Sequence, residues 1–259
     1  MSESFQRVSE LTGFDGEINV LVIGASGGIG RALLSAISPM PGVSRLFAAA
    51  RRTGQLDSLG KNIIAVEADV SEPASMQALA ETICKHCQQL DLVIYAAGFL
   101  HDEQRAIAPE RQLKQVQPEA LQASFSVNAF GLLYAAQALQ GMLPSKGRGV
   151  WANISARVGS IGDNGLGGWH SYRAAKAAQN MITRNLAIEW GRRNRAMTVL
   201  ALHPGTTDTA LSEPFQKNVP ADKLFSPERA AHQLLAVINA HDGHDSGRFY
   251  DWANQPVEW

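Results

Sequence analysis

Cysteine is scarce in this chain, and two residues in 259 exclude the disulfide framework of a secreted scaffold. Cys84 and Cys87 stand in Cys-Lys-His-Cys, but zinc takes four ligands, usually in two spaced pairs, and there is no second pair. The segment reads as the late part of a helix, away from the helix N-terminus that activates a thiolate. Both thiols are therefore expected to act as small apolar side chains, and no metal is expected. Long apolar runs are missing as well, since none reaches the roughly 18 residues of a membrane-spanning helix. Nor is there an excess of charge of one sign. With 23 basic and 24 acidic residues, the chain has no basic field for nucleic acid and no polybasic segment for an anionic membrane. Small molecules and other subunits remain as partners. Residues 1–16 mix Glu3, Glu10 and Asp15 with scattered apolar residues instead of the charged start and apolar core of a signal peptide, so a cytoplasmic location is expected.

What is present is apolar sequence cut into short pieces. Hydrophobic residues make up 45% of the chain, enough at this length for one sizeable core, and residues 1–259 are expected to form a single domain without repeats. Residues 18–23, Ile-Asn-Val-Leu-Val-Ile, form a β-branched run stopped by glycine, which suits a strand buried on both faces. The run leads into Gly24-Ala-Ser-Gly-Gly-Ile-Gly30, and a helical pattern follows through Arg31, Leu33, Leu34 and Ile37 to Pro39 and Pro41. Strand, glycine turn and helix come in the order that cradles a pyrophosphate. Gly24 serves the tight turn, Gly28 close backbone approach and Gly30 helix packing, with Ser26 and Ile29 carried on the same turn. A second strand, 46–50, runs into Arg51 and Arg52. A site for NAD usually has an acid about 20 residues beyond the glycines to bind the ribose 2′-hydroxyl, whereas arginine suits a 2′-phosphate. Arg51 therefore favours NADP(H), with NAD(H) as the alternative.

Residues 62–68 read as a third strand leading to Asp69, Val70 and a helix over about 72–89. Asp69 either meets a ligand at the strand's carboxyl end or borders and caps the helix that follows. A fourth strand, 92–95, ends in Ala96-Ala97-Gly98, small residues that let backbone lie close to a cofactor. After a polar loop over 101–117, a helical pattern runs from 118 to about 142. Asn128 is its polar exception, an amide that could interrupt the helix and hold water or bond locally to backbone. A fifth strand, 149–155, is followed by a glycine-rich loop and a helix from 171 to about 193. A sixth strand, 197–202, precedes His203-Pro-Gly-Thr-Thr-Asp-Thr209 and an irregular segment, with 206–225 expected to act as a substrate lid. A helix over 227–240 and a short strand over 248–250 complete the alternation.

Tyr172 and Lys176 stand four residues apart in Ser-Tyr-Arg-Ala-Ala-Lys, on one face of their helix. A phenol titrating near ~10 exchanges protons poorly at neutral pH, and a cation held beside it would lower that value. This pair is the candidate proton-transfer group. Phe99, Leu166, Trp169, Phe215 and Trp252 are candidates for an apolar substrate pocket. The helical stretches 118–142 and 171–193 carry more apolar surface than one sheet face needs, which points to a homodimer or homotetramer.

Alternating strands and helices with right-handed crossovers build a parallel sheet whose ligand crevice lies at the strands' carboxyl ends, where the candidates fall. From residue 18 to 259 the sequence resembles the short-chain dehydrogenase/reductase family. Gly24-xxx-Gly28-x-Gly30, Asp69, Asn128, Ser155, Tyr172-xxx-Lys176 and the run from Pro204 to Thr209 come in that family's order, and Arg-Val-Gly-Ser-Ile is similar to its C-factor branch. The resemblance implies an α/β fold, a Rossmann-type doubly wound parallel sheet of about seven strands with helices on both faces. It also implies hydride transfer between a nicotinamide and a small carbonyl or alcohol. Tyr172 would donate or accept the proton, Lys176 would bind ribose hydroxyls, and Asn128 would hold a proton-relay water. Asp69 would contact adenine, and Thr209 and backbone near Thr207 the carboxamide, with Val70, Ala97, Gly98 and Pro204 also along the cofactor. Two departures stand out. The family's Asn-Ala-Gly is Ala96-Ala97-Gly98 here, and its Ser-Ser-x-x-Gly is Ser155-Ala156-Arg157-Val158-Gly159, with alanine in place of the substrate-orienting serine. Ser155, Ser160 or a water is left for that role, and Ser155 is the choice. The rival reading is a nucleotide-binding signalling or regulatory protein with weak or no turnover.

Overall fold

A strand covered on both faces must be apolar throughout, and the short runs of this sequence meet that demand. The structure, a computed structural model, describes residues 5–54, 56, 60 and 62–259, the side chain of residue 218 excepted; residues 1–4, Glu3 among them, lie outside the described residues. The strands are β1 (Ile18–Ile23), β2 (Val43–Ala50), β3 (Ile63–Glu67), β4 (Leu92–Tyr95), β5 (Gly149–Ile154), β6 (Met197–His203), β7 (Thr206–Thr207), β8 (Leu224–Phe225) and β9 (Arg248–Asp251). Seven of them form one parallel sheet in the order β3-β2-β1-β4-β5-β6-β9, while β7 and β8 pair separately. The helices are α1 (Gly28–Ile37), α2 (Pro73–Cys84), α3 (Pro118–Phe125), α4 (Gly131–Leu139), α5 (His170–Arg193) and α6 (Pro227–Ala240).

Alternation assigns each strand residue to one of two cores. Val20, Val22, Leu92, Ile94, Val150 and Leu200 pack with Leu33 and Leu34 of α1 and Leu234 and Ile238 of α6. Their neighbours Leu21, Ile23, Val93, Tyr95, Trp151 and Val199 pack with Met76 of α2, Leu132 and Leu139 of α4, and Leu186 and Trp190 of α5. After β3 the chain crosses back to lay β4 on the other side of β1, so a crevice opens between their carboxyl ends.

Three expectations change. The helical stretch 118–142 is not continuous, because a π turn over Ser126–Phe130 separates α3 from α4 and a 3₁₀ turn follows α4. The cause lies across the core: Tyr95 Oη–H donates to the Val127 carbonyl at 2.7 Å, and Asn128 bonds to both backbone groups of Phe99. The helix expected over 72–89 stops at Cys84, and Leu90 N–H turns to the Met142 carbonyl at 2.8 Å. Cys84 is exposed, with its Sγ 3.7 Å from Met142 Sδ, and Cys87 is half-buried with its thiol pushed up by burial. The segment 206–225 is more regular than expected, since β7, β8 and two 3₁₀ turns lie within it.

Candidate active site

A cavity of about 1230 Å³ opens at the strands' carboxyl ends. The turn after β1 forms one wall, with Gly24, Ser26, Gly28, Ile29 and Gly30 all on its lining. Gly24 has φ +85°, and a Cβ there would fall 2.5 Å from Ala97 N; one at Gly30 would fall 2.2 Å from the Gly24 carbonyl oxygen. The turn and α1 can therefore pack this closely only without side chains. Arg51, exposed just past β2, lines the cavity. Asp69 and Val70 follow β3, and Ala97 and Gly98 follow β4, on the same lining. Asp69 Oδ1 accepts from Ser71 N–H at 2.9 Å and Ser71 Oγ–H at 2.7 Å. Burial opposes its charge, but these two bonds and the nearby Arg51 outweigh that, and the carboxyl titrates below its ordinary value. Both roles expected of Asp69, bordering the helix start and facing the cavity, are compatible with this placement.

Tyr172 and Lys176 lie on the first turns of α5, both buried and both on the cavity wall. Lys176 Nζ donates to the Ile154 carbonyl at 2.9 Å and to Gln179 Oε1 at 2.8 Å, and it sits 5.8 Å from the centre of the Tyr172 ring. The expected lowering of the phenol by its cation is not what the fold produces. Burial pushes Tyr172 above its ordinary value and pulls Lys176 down to about 7, because desolvation disfavours the charged form of each. Pro204, Thr207 and Thr209 line the cavity from the β6 side, and so does Ser155. Ser155 Oγ–H is already given to Asn180 Oδ1 at 2.6 Å. Ser160 is buried, accepts from Asp163 N–H at 3.1 Å and is not part of the lining, whereas Ala156 is. Asn128 too lies off the cavity wall. It is fully buried, with Oδ1 accepting from Phe99 N–H at 3.1 Å and Nδ2 donating to the Phe99 carbonyl at 2.8 Å and to Ser124 Oγ at 3.2 Å.

Beyond Tyr172 the wall turns aromatic. Trp169 stands edge-on to Tyr172 with ring centres 6.1 Å apart, Phe215 lies 5.0 Å from Trp169, and His101 lies 5.8 Å from Phe215. Phe99 and Leu166 line the same space. Trp252 does not, because the β7–β8 pair holds Phe225 against it at 4.7 Å, beneath Gly205.

A family profile described as short chain dehydrogenase matches residues 18–220. The chain belongs to that family. Similar to it is 1-hydroxy-2-glutathionyl-2-methyl-3-butene dehydrogenase of Rhodococcus sp. (strain AD45), 30% identical over 74% of this chain and 78% of that protein. The C-signal protein of Myxococcus xanthus is 31% identical over 52% of this chain and 76% of its own, in keeping with the C-factor-like stretch. A carbonyl reductase from chicken fatty liver, solved with NADPH bound, shares the fold with a TM-score of 0.78 at 24% identity, over 95% of this chain and 96% of its own. This short-chain dehydrogenase is thus an oxidoreductase that acts on small molecules.

Sequence reading missed three residues that shape the dehydrogenase's site. Gln179 holds Lys176 and Asn180 holds Ser155; both lie one helical turn from Lys176, a spacing that could have revealed them. His101 sits in an irregular loop with no periodic signal.

Proposed function

We propose that this dehydrogenase uses NADP(H), in preference to NAD(H), to interconvert a small carbonyl compound and its alcohol. The observation that carries the reading is the burial of Tyr172 and Lys176 on the wall of one cavity that also holds the glycine turn and Arg51. A dinucleotide fits the residues present, because the tight turn that lines the cavity forms only with glycine at 24 and 30, and Arg51 offers charge for a 2′-phosphate. Ser26, Gly28 and Ile29 would follow the diphosphate at the start of α1, where amide groups point outward. Asp69 and Val70 would border adenine, Ala97 and Gly98 the middle of the cofactor, Lys176 the ribose, and Pro204, Thr207 and Thr209 the carboxamide. Bound there, NADPH supplies hydride to the carbonyl carbon.

Everything else falls to the chain. Tyr172 carries its proton at neutral pH, as a phenol does, and although burial makes it a weaker acid it can give that proton to the carbonyl oxygen as charge grows there. Ser155 orients that oxygen only by turning its hydroxyl away from Asn180. Asn128 has spent both N–H groups, so a relay water beside it would bond to its remaining lone pair or to a backbone carbonyl of the π turn. Residues 1–259 form one catalytic domain in this reading, with 206–225 as its lid. The exposed Phe130, Leu133, Met181 and Ile188 on and beside α4 and α5 support a homodimer or homotetramer. Among the described residues no helix is long and apolar enough to cross a membrane, and the proposed location is the cytoplasm.

The test is to titrate the purified chain with NADPH and NADH and then follow carbonyl-dependent loss of the reduced nicotinamide. NADPH is expected to bind at least about tenfold tighter, since a charge-assisted contact to the 2′-phosphate is lost with NADH. Tyr172→Phe is expected to cut kcat by about 10²- to 10⁴-fold, the usual size of a general-acid contribution, with NADPH affinity nearly unchanged. Binding of neither nucleotide would sink the proposal.

A further inference from the structure

Glu110 comes from the irregular stretch between β4 and α3, and it is only 3% exposed. A carboxylate taken out of water needs donors, and here they come from the start of α5. Ser171 Oγ–H donates to Glu110 Oε1 in a short contact, and Ser171 N–H donates to Oε2 at 3.2 Å. The backbone carbonyl of Glu110 accepts from Trp169 N–H at 2.5 Å. Trp169 precedes the helix in the left-handed region, φ +51° and ψ +42°, where a bulky residue stays only when its surroundings hold it. It makes no side-chain cap of its own, so the first-turn amide at Ser171 is satisfied from another loop, by a group whose negative charge the helix N-terminus favours.

These contacts lie next to Tyr172 at the start of α5. Tyr172 follows Ser171 directly, and the Trp169 ring stands edge-on to it. On the other side Ser124 Oγ–H donates to the Ser171 carbonyl at 3.2 Å, and Asn128 Nδ2–H in turn donates to Ser124. A buried polar chain therefore runs from Glu110 through Ser171 and Ser124 to Asn128 and the backbone of Phe99, in the loop after β4. Each link is held by its neighbours, so releasing one end lets the first turn of α5 move.

We propose that Glu110 is a positioning residue, which fixes the entry of α5 through Ser171 and Trp169 and so aims the Tyr172 phenol at the substrate. The proposal rests on Tyr172 being the proton donor. It assigns the loop between β4 and α3 a role in catalysis that none of the motif residues carries.

Glu110→Gln keeps the shape but sets an N–H₂ group against one of the two Ser171 donors. Ser171→Ala keeps the backbone bond and removes only the hydroxyl. The test measures the carbon NMR signal of Tyr172 in protein labelled at tyrosine Cζ, assigned by its loss in Tyr172→Phe, together with kcat for carbonyl reduction and Kd for NADPH. In both variants the Tyr172 signal should shift or broaden, and kcat should fall by about tenfold to a hundredfold, the usual cost of misplacing a reacting group, while Kd changes less than about twofold. A Tyr172 signal at its original position in folded Glu110→Gln overturns the proposal, and Ser171→Ala decides in the same way if that variant does not fold. Equal losses in kcat and NADPH affinity also overturn it, because they mark general disruption of the site. If the unaltered chain reduces no carbonyl, the functional reading fails alone, and the NMR signal still decides the role of Glu110.

Discussion

Lys176 holds its proton more weakly than a free lysine, and this has a thermodynamic consequence. Burial brings it down to about 7, while the unfolded chain keeps the ordinary value of 10.5. Between those values the unfolded state binds more protons, so stability rises as pH climbs through that window and is flat below it. Lys176→Met removes the titration and should also remove the rise. Melting temperatures of both proteins from pH 6 to 10 are the check, with the unaltered chain expected to gain on the variant above about pH 7 and not below it. Ala156 offers a second residue-scale prediction. It is extended, lines the cavity and stands where the family resemblance implies a serine. Ala156→Ser should raise kcat for carbonyl reduction by at least about tenfold, because one donor aimed at a developing oxyanion is worth that much or more. Unchanged kcat would mean that Ser155 or a water already fills the role. At this scale Tyr172, Lys176, the glycines and Arg51 were legible from type and spacing. Their titration was not, because burial depends on what packs around them.

Elements show the same division. The boundaries of β1, β4 and α6 follow directly from runs of apolar residues, a proline and a serine: Ser226 Oγ caps α6 by accepting from Arg229 N–H, and Pro227 begins it. Asn128 marked a possible interruption, but the π turn itself was hidden because the bond that takes the Val127 carbonyl comes from Tyr95, 32 residues earlier in the chain. A side chain that distant leaves no local pattern. Tyr95→Phe keeps the ring in its fully buried place and removes only that hydroxyl, so it should lower unfolding free energy by about 1 to 3 kcal/mol, the cost of a lost bond and an unpaired carbonyl. Urea denaturation is the measurement. A loss well under that range would show that the π turn is held by Asn128 alone.

For the whole molecule the open quantity is assembly. Met181 is 61% exposed on α5, and Leu133 and Phe130 are exposed on and beside α4. Light scattering of the unaltered chain is expected to give twice or four times its 27.9 kDa mass, and Met181→Glu should shift that mass toward the monomer by burying a charge in the interface. A monomer at micromolar concentration for the unaltered chain would remove the interface altogether. Enzyme family and fold reached the same answer from both directions, and the regulatory alternative is disfavoured by an intact Tyr172 and Lys176 in a formed cavity.

By itself the sequence determined the alternation of strands and helices, the parallel sheet, the glycine cradle and the Tyr-Lys pair, since each is written in residues close together in the chain. Only the tertiary structure decided that Asn128 is locked behind the cavity rather than on its wall, that Ser155 is engaged with Asn180, that Trp252 is drawn away to Phe225, and that Glu110 reaches across 61 residues to the start of α5. These depend on contacts between segments far apart in the chain, and burial and hydrogen bonding across such distances have no period for a linear reading to detect.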